Sequence, residues 1–138
     1  MTKNFTRPEA AIDGDALFQD LPLAVGLYDA MLSLRTQDDI NPSEFQNYAE
    51  NREVSIEEPT EIWRSMSGEQ DILVSFIKDY SLDSPTKQFW YIAVTLEDSE
   101  TQSHTLLFSF PTQDKNLVQR YQNGEQLNVE DVEREDSH

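Results

Sequence analysis

The side chains of this sequence that are best suited to chemistry are one histidine, two cations, a phenol and two hydroxyls. They are Lys78, Tyr80, His104, Ser109, Thr112 and Arg120. Cations, phenols and hydroxyls together can bind an RNA phosphodiester and cleave it by electrostatic stabilisation and proton transfer. The sequence therefore offers a candidate ribonuclease site that needs no metal ion.

A structural explanation exists for each of these residues. His104 is the histidine inside the predicted fold, and an unperturbed imidazole titrates near neutrality, as a general acid–base requires. It can equally begin an edge strand or pair with one of the 27 acidic residues. Lys78 and Tyr80 share a face with Phe76 at the end of a predicted strand, where such residues commonly form an amphipathic rim. Both interpretations stay open at this stage.

Several classes of site are excluded by missing motifs. The chain has no G-x-G-x-x-G, G-x-x-x-x-G-K-[ST], H-E-x-x-H or EF-hand sequence, and it has four glycines in total. It has no cysteine and two histidines, which excludes a thiolate nucleophile, a disulfide framework and a histidine-rich zinc site. The pairs at 13–15 and 38–39 carry carboxylates suited to Ca²⁺ but are typical of solvated turns. We expect neither a cofactor nor a metal.

Charge is the most informative property of the composition. The 138 residues include 27 acids and 10 bases, for a net charge of −17. A field of this sign repels nucleic acid and anionic lipid and attracts a basic protein surface. We therefore expect a basic protein partner rather than DNA or a membrane, although high charge also serves solubility alone. The start of the chain lacks the apolar region of a secretory signal, so a cytoplasmic location is expected.

Helical patterns dominate the first half of the chain. Apolar residues recur at helical spacing through Leu17, Leu21, Ala24, Val25, Tyr28, Met31 and Leu32. Pro22 interrupts this stripe, so the helix kinks there, begins there, or divides into two segments. Further on, Asn41 can cap a helix over about 42–50, with Pro42 in its first turn and Glu44 completing a capping box.

A third, short helix is predicted over 59–66, ended by Gly68. Glu57, Glu58 and Glu61 flank Pro59 at its start, where carboxylates complement the positive end of the helix dipole. This placement explains these acids without a catalytic role.

After Gly68 the apolar period changes from near four to two, which predicts three strands. They lie near 72–77, 89–96 and 104–110, and the last places His104, Leu106, Phe108 and Phe110 on one face. Thr112 can then cap a final helix that directs Leu117, Val118 and Tyr121 to the core and ends at Gly124.

The order of these elements predicts an α+β fold, with N-terminal helices packed on an antiparallel meander of three or four strands and a C-terminal helix. We expect a flexible segment at 1–12, one domain at 13–124 and an acidic flexible tail at 125–138.

Two stretches resemble a known family. One begins at Glu58-Pro59-Thr60-Glu61-Ile62-Trp63-Arg64 and continues to Tyr80 and Phe89-Trp90-Tyr91. The other runs from Phe108-Ser109-Phe110-Pro111-Thr112 to Arg120-Tyr121 and Gly124-Glu125. Over roughly 50–127 the chain looks like the phage-associated branch of the barnase–EndoU–colicin–RelE-like nuclease superfamily. The resemblance implies helices on a small antiparallel sheet, a ribonuclease activity, and the six residues named first as positions on the sheet surface.

The charge departs from that resemblance, because RNA-cleaving members of this fold present a basic face. The leading hypothesis is therefore a non-enzymatic module on a nuclease-like fold that binds a basic protein, as acidic inhibitors of basic nucleases do. The alternatives are a metal-independent ribonuclease and a structural subunit of a homodimer or larger homo-oligomer. Convergence of Lys78, His104 and Arg120 in one open hollow would favour catalysis.

Overall fold

The computed structural model describes residues 14–67, 71–82 and 88–129, with side chains from Leu21 onward. Its helices are α1 (Gly14–Leu34), α2 (Ala49–Glu57) and α3 (Lys115–Tyr121), together with 3₁₀ helices at Pro42–Tyr48 and Tyr80–Leu82. Its strands are β1 (Glu61–Ser67), β2 (Asp71–Asp79), β3 (Trp90–Glu97), β4 (His104–Thr112) and β5 (Glu125–Leu127).

The described strands form one antiparallel sheet in the order β4-β3-β2-β1-β5. Strands β1 to β4 make a meander, and the chain then passes through α3 before β5 pairs with the outer side of β1. This confirms the predicted α+β class and the helix near the C-terminus. The predicted strand number, three or four, is wrong because the sheet has five strands.

The segment predicted as a third helix is strand β1. Ile62 is buried while Trp63 packs on the opposite face, so apolar side chains serve both sides of the sheet. Ile62 pairs with Phe76 of β2 and with Leu127 of β5. A β-branched residue and an aromatic residue between two partner strands are stabilised more by packing on a pleated sheet than by a short helix.

The two faces of the sheet carry separate hydrophobic cores. The front face holds Ile77, Ile92, Val94, Phe108 and Phe110, packed against Met31 of α1 and against Leu117 and Val118 of α3. The back face holds Ile62, Val74, Phe76 and Ala93, packed against Ile56 of α2. The inner strands β2 and β3 are covered on both sides, which explains their nearly continuous apolar sequences.

A β-bulge in β4 changes the predicted orientation of its side chains. Thr95 pairs with Leu106 and Val94 pairs with Phe108, so Leu107 is the additional residue. One additional residue inverts the alternation of every later side chain. The prediction of one shared face is therefore wrong: His104 and Leu106 lie on the back face, and Phe108 and Phe110 lie on the front.

The helix predicted to begin after Asn41 does so, but with different geometry. The side-chain oxygen of Asn41 accepts the backbone N–H of Ser43 at 2.9 Å, as expected of an N-cap. The first seven residues are 3₁₀, and α2 then continues to Glu57. Glu57 and Glu58 therefore stand at the C-terminal end of a helix and not at the N-terminal end of the next one.

The cap of the last helix is Asp114, not Thr112. The Asp114 side chain accepts the backbone N–H of Asn116 at 2.9 Å. Thr112 is the last residue of β4, and its hydroxyl accepts the backbone N–H of Asp114 at 3.0 Å. Leu117 and Val118 face the core as predicted, and Tyr121 packs against Phe110.

The apolar residues that recur at helical spacing from Leu17 to Leu32 lie on one helix, α1, which contains Pro22. Within the described ranges, no helix is long and apolar enough to cross a membrane. The sequence assigned residues 125–138 to a tail, but 125–127 form strand β5; the predicted segment at 1–12 and residues 130–138 lie outside the described residues.

A buried ion pair joins the end of α1 to the end of β4. Arg35 Nη2 lies 3.4 Å from Asp39 Oδ2, and both side chains are almost fully buried. Arg35 also donates to the carbonyl oxygens of Ile40 (2.6 Å) and Pro111 (3.2 Å). Asp39 accepts the Thr112 hydroxyl and, through Oδ1, the backbone N–H of Gln113 at 2.7 Å. Burial lowers the pKa of Arg35, and the Asp39 charge opposes this shift.

Replacing Asp39 with alanine should destabilise the protein by about 3–5 kcal/mol, because the Arg35 guanidinium would remain buried without its counter-charge. The neighbouring acid Asp38 is exposed. D38A should therefore change the free energy of unfolding by at most about 0.5 kcal/mol. Urea unfolding of both variants measures the difference, and equal small effects would show that the buried pair does not stabilise the fold.

Replacing Gly124 with alanine should be strongly destabilising. Gly124 has φ +89°, and a Cβ atom there would overlap the carbonyl oxygen of Arg64. We expect a loss of roughly 2 kcal/mol or more, from backbone strain together with displacement of β5 from β1.

The matched control is Gly26, an exposed helical position where an added Cβ meets no atom within 4 Å. G26A should stabilise by about 0.5–1 kcal/mol, since alanine favours helix. The melting temperatures of the two variants should therefore shift in opposite directions.

Candidate functional site

The six predicted site residues do not form one site. Lys78 pairs with Tyr91 at one end of β3, whereas His104 pairs with Glu97 at its other end. Both side chains lie on the back face, separated by six residue steps of β3, or roughly 20 Å. A ribonuclease centre that uses both on one phosphate has no geometric basis here.

Two further candidates lie elsewhere. Arg120 is exposed on α3, whose buried residues Leu117 and Val118 belong to the front core. The whole sheet therefore separates Arg120 from Lys78. Thr112 is fully buried, and its hydroxyl is engaged by Asp39 and Asp114, so its role is structural.

One polar cluster occupies the back face at the His104 end. This histidine cluster comprises Arg64, Thr95, Glu97 and His104. Arg64 Nη2 lies 3.0 Å from Glu97 Oε1, and His104 Nε2 lies 3.8 Å from the same oxygen. The Thr95 hydroxyl donates to the carbonyl oxygen of Val74, which leaves it to accept from His104 Nδ1 at 3.0 Å. The cluster thus connects four adjacent strands.

Burial governs the chemistry of this cluster. Desolvation lowers the pKa of His104 to about 4; Glu97 opposes that shift and Arg64 adds to it. The imidazole is therefore neutral at physiological pH, and its side chain is only 11% exposed. Because Thr95 and Glu97 already surround it, His104 is better suited to structure than to proton transfer with a ligand.

A second polar cluster occupies the opposite end of the back face. This phenol cluster comprises Arg52, Lys78, Tyr80, Tyr91 and Ser109. Tyr91 and Ser109 share a hydrogen bond of 2.8 Å between their hydroxyl oxygens. Lys78 is the cross-strand partner of Tyr91, so their Cβ atoms are neighbours on one face. Of the six predicted residues, Lys78 and Ser109 therefore lie beside Tyr91, and Tyr80 follows directly after the end of β2.

Aromatic contacts hold the phenol cluster in position. The Tyr80 ring stacks on Phe89 with centroids 4.7 Å apart, and Tyr48 meets the same Phe89 edge-on at 5.4 Å. Arg52 approaches from α2, on the side of that helix that also carries buried Ser55 and Ile56. Among the described residues, three buried side-chain atoms have no hydrogen-bond partner: the Tyr80 hydroxyl and Arg52 Nε in this cluster, and Arg64 Nε in the histidine cluster.

Sequence reasoning missed Arg52, Arg64, Tyr91 and Glu97. Signals for two of them are present in the sequence. Arg52 lies four residues before Ile56, so both fall on the same side of a helix. Arg64 alternates with Ile62, so both fall on the same side of a strand. The first signal was overlooked because the predicted helix ended near Glu50, and the second because 59–66 was predicted as helix.

No group of three or more potential metal ligands of the His, Cys, Asp or Glu type lies together in the described part of the chain. Of the carboxylates considered for Ca²⁺, Asp39 is engaged by Arg35 and Thr112, while Asp13 and the Asp15 side chain lie outside the described residues.

Comparisons of the chain with protein-family models, with curated proteins and with solved structures found no match. The resemblance to the nuclease superfamily therefore stays a prediction from short motifs.

The buried His104 should make stability depend on pH. Its pKa is about 4 when folded and near 6.5 when unfolded, so the unfolded chain binds the proton more tightly. Stability is thus lost as the pH falls from about 6.5 to about 4, by an amount on the order of 3 kcal/mol. Replacing His104 with asparagine should reduce the slope of unfolding free energy against pH in that window.

His138, the other histidine of the chain, supplies the control. H138N should retain the wild-type slope. Urea unfolding at closely spaced pH values measures all three proteins, and indistinguishable slopes would show that His104 titrates normally.

Proposed function

We propose that this chain is a non-enzymatic binding module for a protein with a basic surface. The proposal is supported by a net charge of −17 and by the separation of the residues that catalysis would need. The observation that most directly supports the proposal is a row of glutamates on α2 that have no ion pair within the described residues.

This glutamate ridge consists of Glu50, Glu53, Glu57 and Glu58, all exposed. The first three follow one another at spacings of three and four residues, so they line one side of α2. Val54 lies among them and is 38% exposed. Val54 could form the apolar centre of a small contact and the glutamates its polar rim.

The ridge is unfavourable for the helix that carries it. Like charges three or four residues apart cost a helix about 0.2–0.5 kcal/mol for each pair. Glu57 and Glu58 also stand at the negative end of the helix dipole, and the last turn carries no basic residue. No ion pair within the described ranges involves any of the four.

A basic partner would remove these unfavourable terms. Lysine or arginine side chains on its surface would neutralise the ridge, and an apolar residue would cover Val54. Long-range attraction would also accelerate association, as charge complementarity does generally.

The ribonuclease alternative has weaker support. Its proton-transfer residue, His104, is buried in a different cluster from Lys78, and Arg120 lies on the other side of the sheet. The homo-oligomer alternative also has weaker support, because the aromatic run at 89–91 is half-buried or buried within this chain.

The test compares two variants of equal net charge. E50Q/E53Q/E57Q neutralises the ridge, whereas D29N/D38N/E100Q neutralises three exposed acids elsewhere. Association with a lysine-rich helical peptide that carries one central leucine is followed by stopped-flow fluorescence at several salt concentrations. The ridge variant should associate roughly tenfold more slowly than the control at low salt, with a smaller salt dependence.

Equal slowing in both variants would show that only net charge matters and would reject the ridge as the docking surface. A wild-type rate independent of salt would reject the electrostatic premise altogether.

A further inference from the structure

The phenol cluster contains buried hydrogen-bond donors that have no partner among the described residues. Tyr80 presents a hydroxyl and Arg52 presents Nε–H, each shielded from solvent and without a partner among the described residues. Buried polar groups are nearly always satisfied, and an exception usually indicates a bound water or ion. Two such donors in one cluster require an explanation.

The cations of this cluster also have no ion pair within the described residues. Three arginines are partly or fully buried in the described part of the chain: Arg35, Arg52 and Arg64. Arg35 pairs with Asp39, and Arg64 pairs with Glu97 and, at 4.0 Å, with Glu125. Neither Arg52 nor Lys78 has an ion pair within the described ranges.

A chain with 27 acids has many opportunities to neutralise two cations on its sheet. The carboxylates of α2 instead lie along the ridge, while Arg52 is directed toward the sheet. The two charged members of the phenol cluster are therefore both cations, inside an acidic protein.

Aromatic contacts place the two donors near each other, because Tyr80 and Tyr48, which lies four residues before Arg52, both pack against Phe89. Burial raises the pKa of the Tyr91 hydroxyl, and this is the largest effect. Arg52 acts electrostatically to lower that pKa, and Tyr80 acts to raise it. Tyr91 in turn hydrogen-bonds Ser109. A guanidinium, an ammonium and three hydroxyls thus surround one end of the back face.

We propose that the phenol cluster binds a phosphate group. Arg52 and Lys78 would supply the positive charge, and the Tyr80 hydroxyl would donate one neutral hydrogen bond. Arginine is suited to phosphate because its planar donors match two oxygens at once. Arg52, Lys78, Tyr80 and Ser109 are each half-buried, so part of each of these residues is accessible at the surface. This site is independent of the glutamate ridge.

The test is a titration of the full chain with inorganic phosphate at constant ionic strength, followed by amide chemical shifts and by melting temperature. Phosphate should bind saturably and raise the melting temperature. R52Q should weaken the apparent affinity roughly tenfold or more, as expected for loss of a charge-assisted contact. R120Q removes an exposed arginine on the other side of the sheet and should leave the affinity unchanged.

The Y80F variant distinguishes a role of the Tyr80 hydroxyl in phosphate binding from a role in stability. Its loss of an unpartnered buried hydroxyl should leave the melting temperature without phosphate unchanged or slightly higher. The same substitution should weaken the phosphate response. A Y80F protein that is destabilised without phosphate yet binds phosphate normally would overturn the role assigned to Tyr80.

Two further ligands define the chemistry. Phosphoserine binding more tightly than inorganic phosphate would identify a phosphate ester as the ligand, and the reverse order would identify the free ion; either result supports the site. Absence of a saturable wild-type response, equal loss in R52Q and R120Q, or an equally strong response to acetate would overturn the proposal.

Discussion

The buried pair of Arg35 and Asp39 is the constraint on which the arrangement of helices and sheet depends. It stands where α1 ends, where β4 ends and where the 3₁₀ helix begins, and its hydrogen bonds reach all three. Arg35 also lies over the rings of Phe45 and Phe110, at 4.8 Å and 5.9 Å from their centroids. Because both charges are desolvated, each requires the other, and the three elements are held in a single relative position.

That fixed corner allows the chain to cover both faces of the sheet. Phe45 of the 3₁₀ helix still packs in the front core, whereas Ile56 of the following α2 packs on the back. The middle of the back face is thereby closed by α2, and polar side chains remain at its two ends. At one end Arg64 is paired with Glu97, while at the other end neither Arg52 nor Lys78 has an ion pair among the residues that the structure describes.

The sequence predicted the fold where local pattern and tertiary environment agree. The alternation in β2, the continuous apolar run of β3, the cap at Asn41 and the inward side of α3 were all recognisable from the sequence pattern alone. The prediction failed where pairing between distant segments determines the secondary structure. Strand β1 follows two glutamates and a proline, which are typical of a helix start. Its identity as a strand depends on pairing with β2 and with β5, which lies far along the chain.

The site was less predictable than the fold for the same reason. Lys78 and Ser109 lie on strands of the sheet, whereas Tyr80 begins the 3₁₀ helix that follows β2. No local rule indicates that six residue steps of β3 separate Lys78 from His104. The bulge at Leu107 could not be recognised from the sequence either, although it places His104 and Ser109 on one face. Arg52 enters the cluster only through the packing of α2 on the sheet.

The bulge has a further consequence for the behaviour of the protein at high concentration. Among the described strands β4 forms one border of the sheet, and a long, regular border invites a second chain to continue the hydrogen-bond ladder. Leu107 interrupts the register in the middle of β4, and Pro111 lacks an N–H near its end. The same irregularity that directs His104 to the back face thus protects the protein from edge-to-edge aggregation.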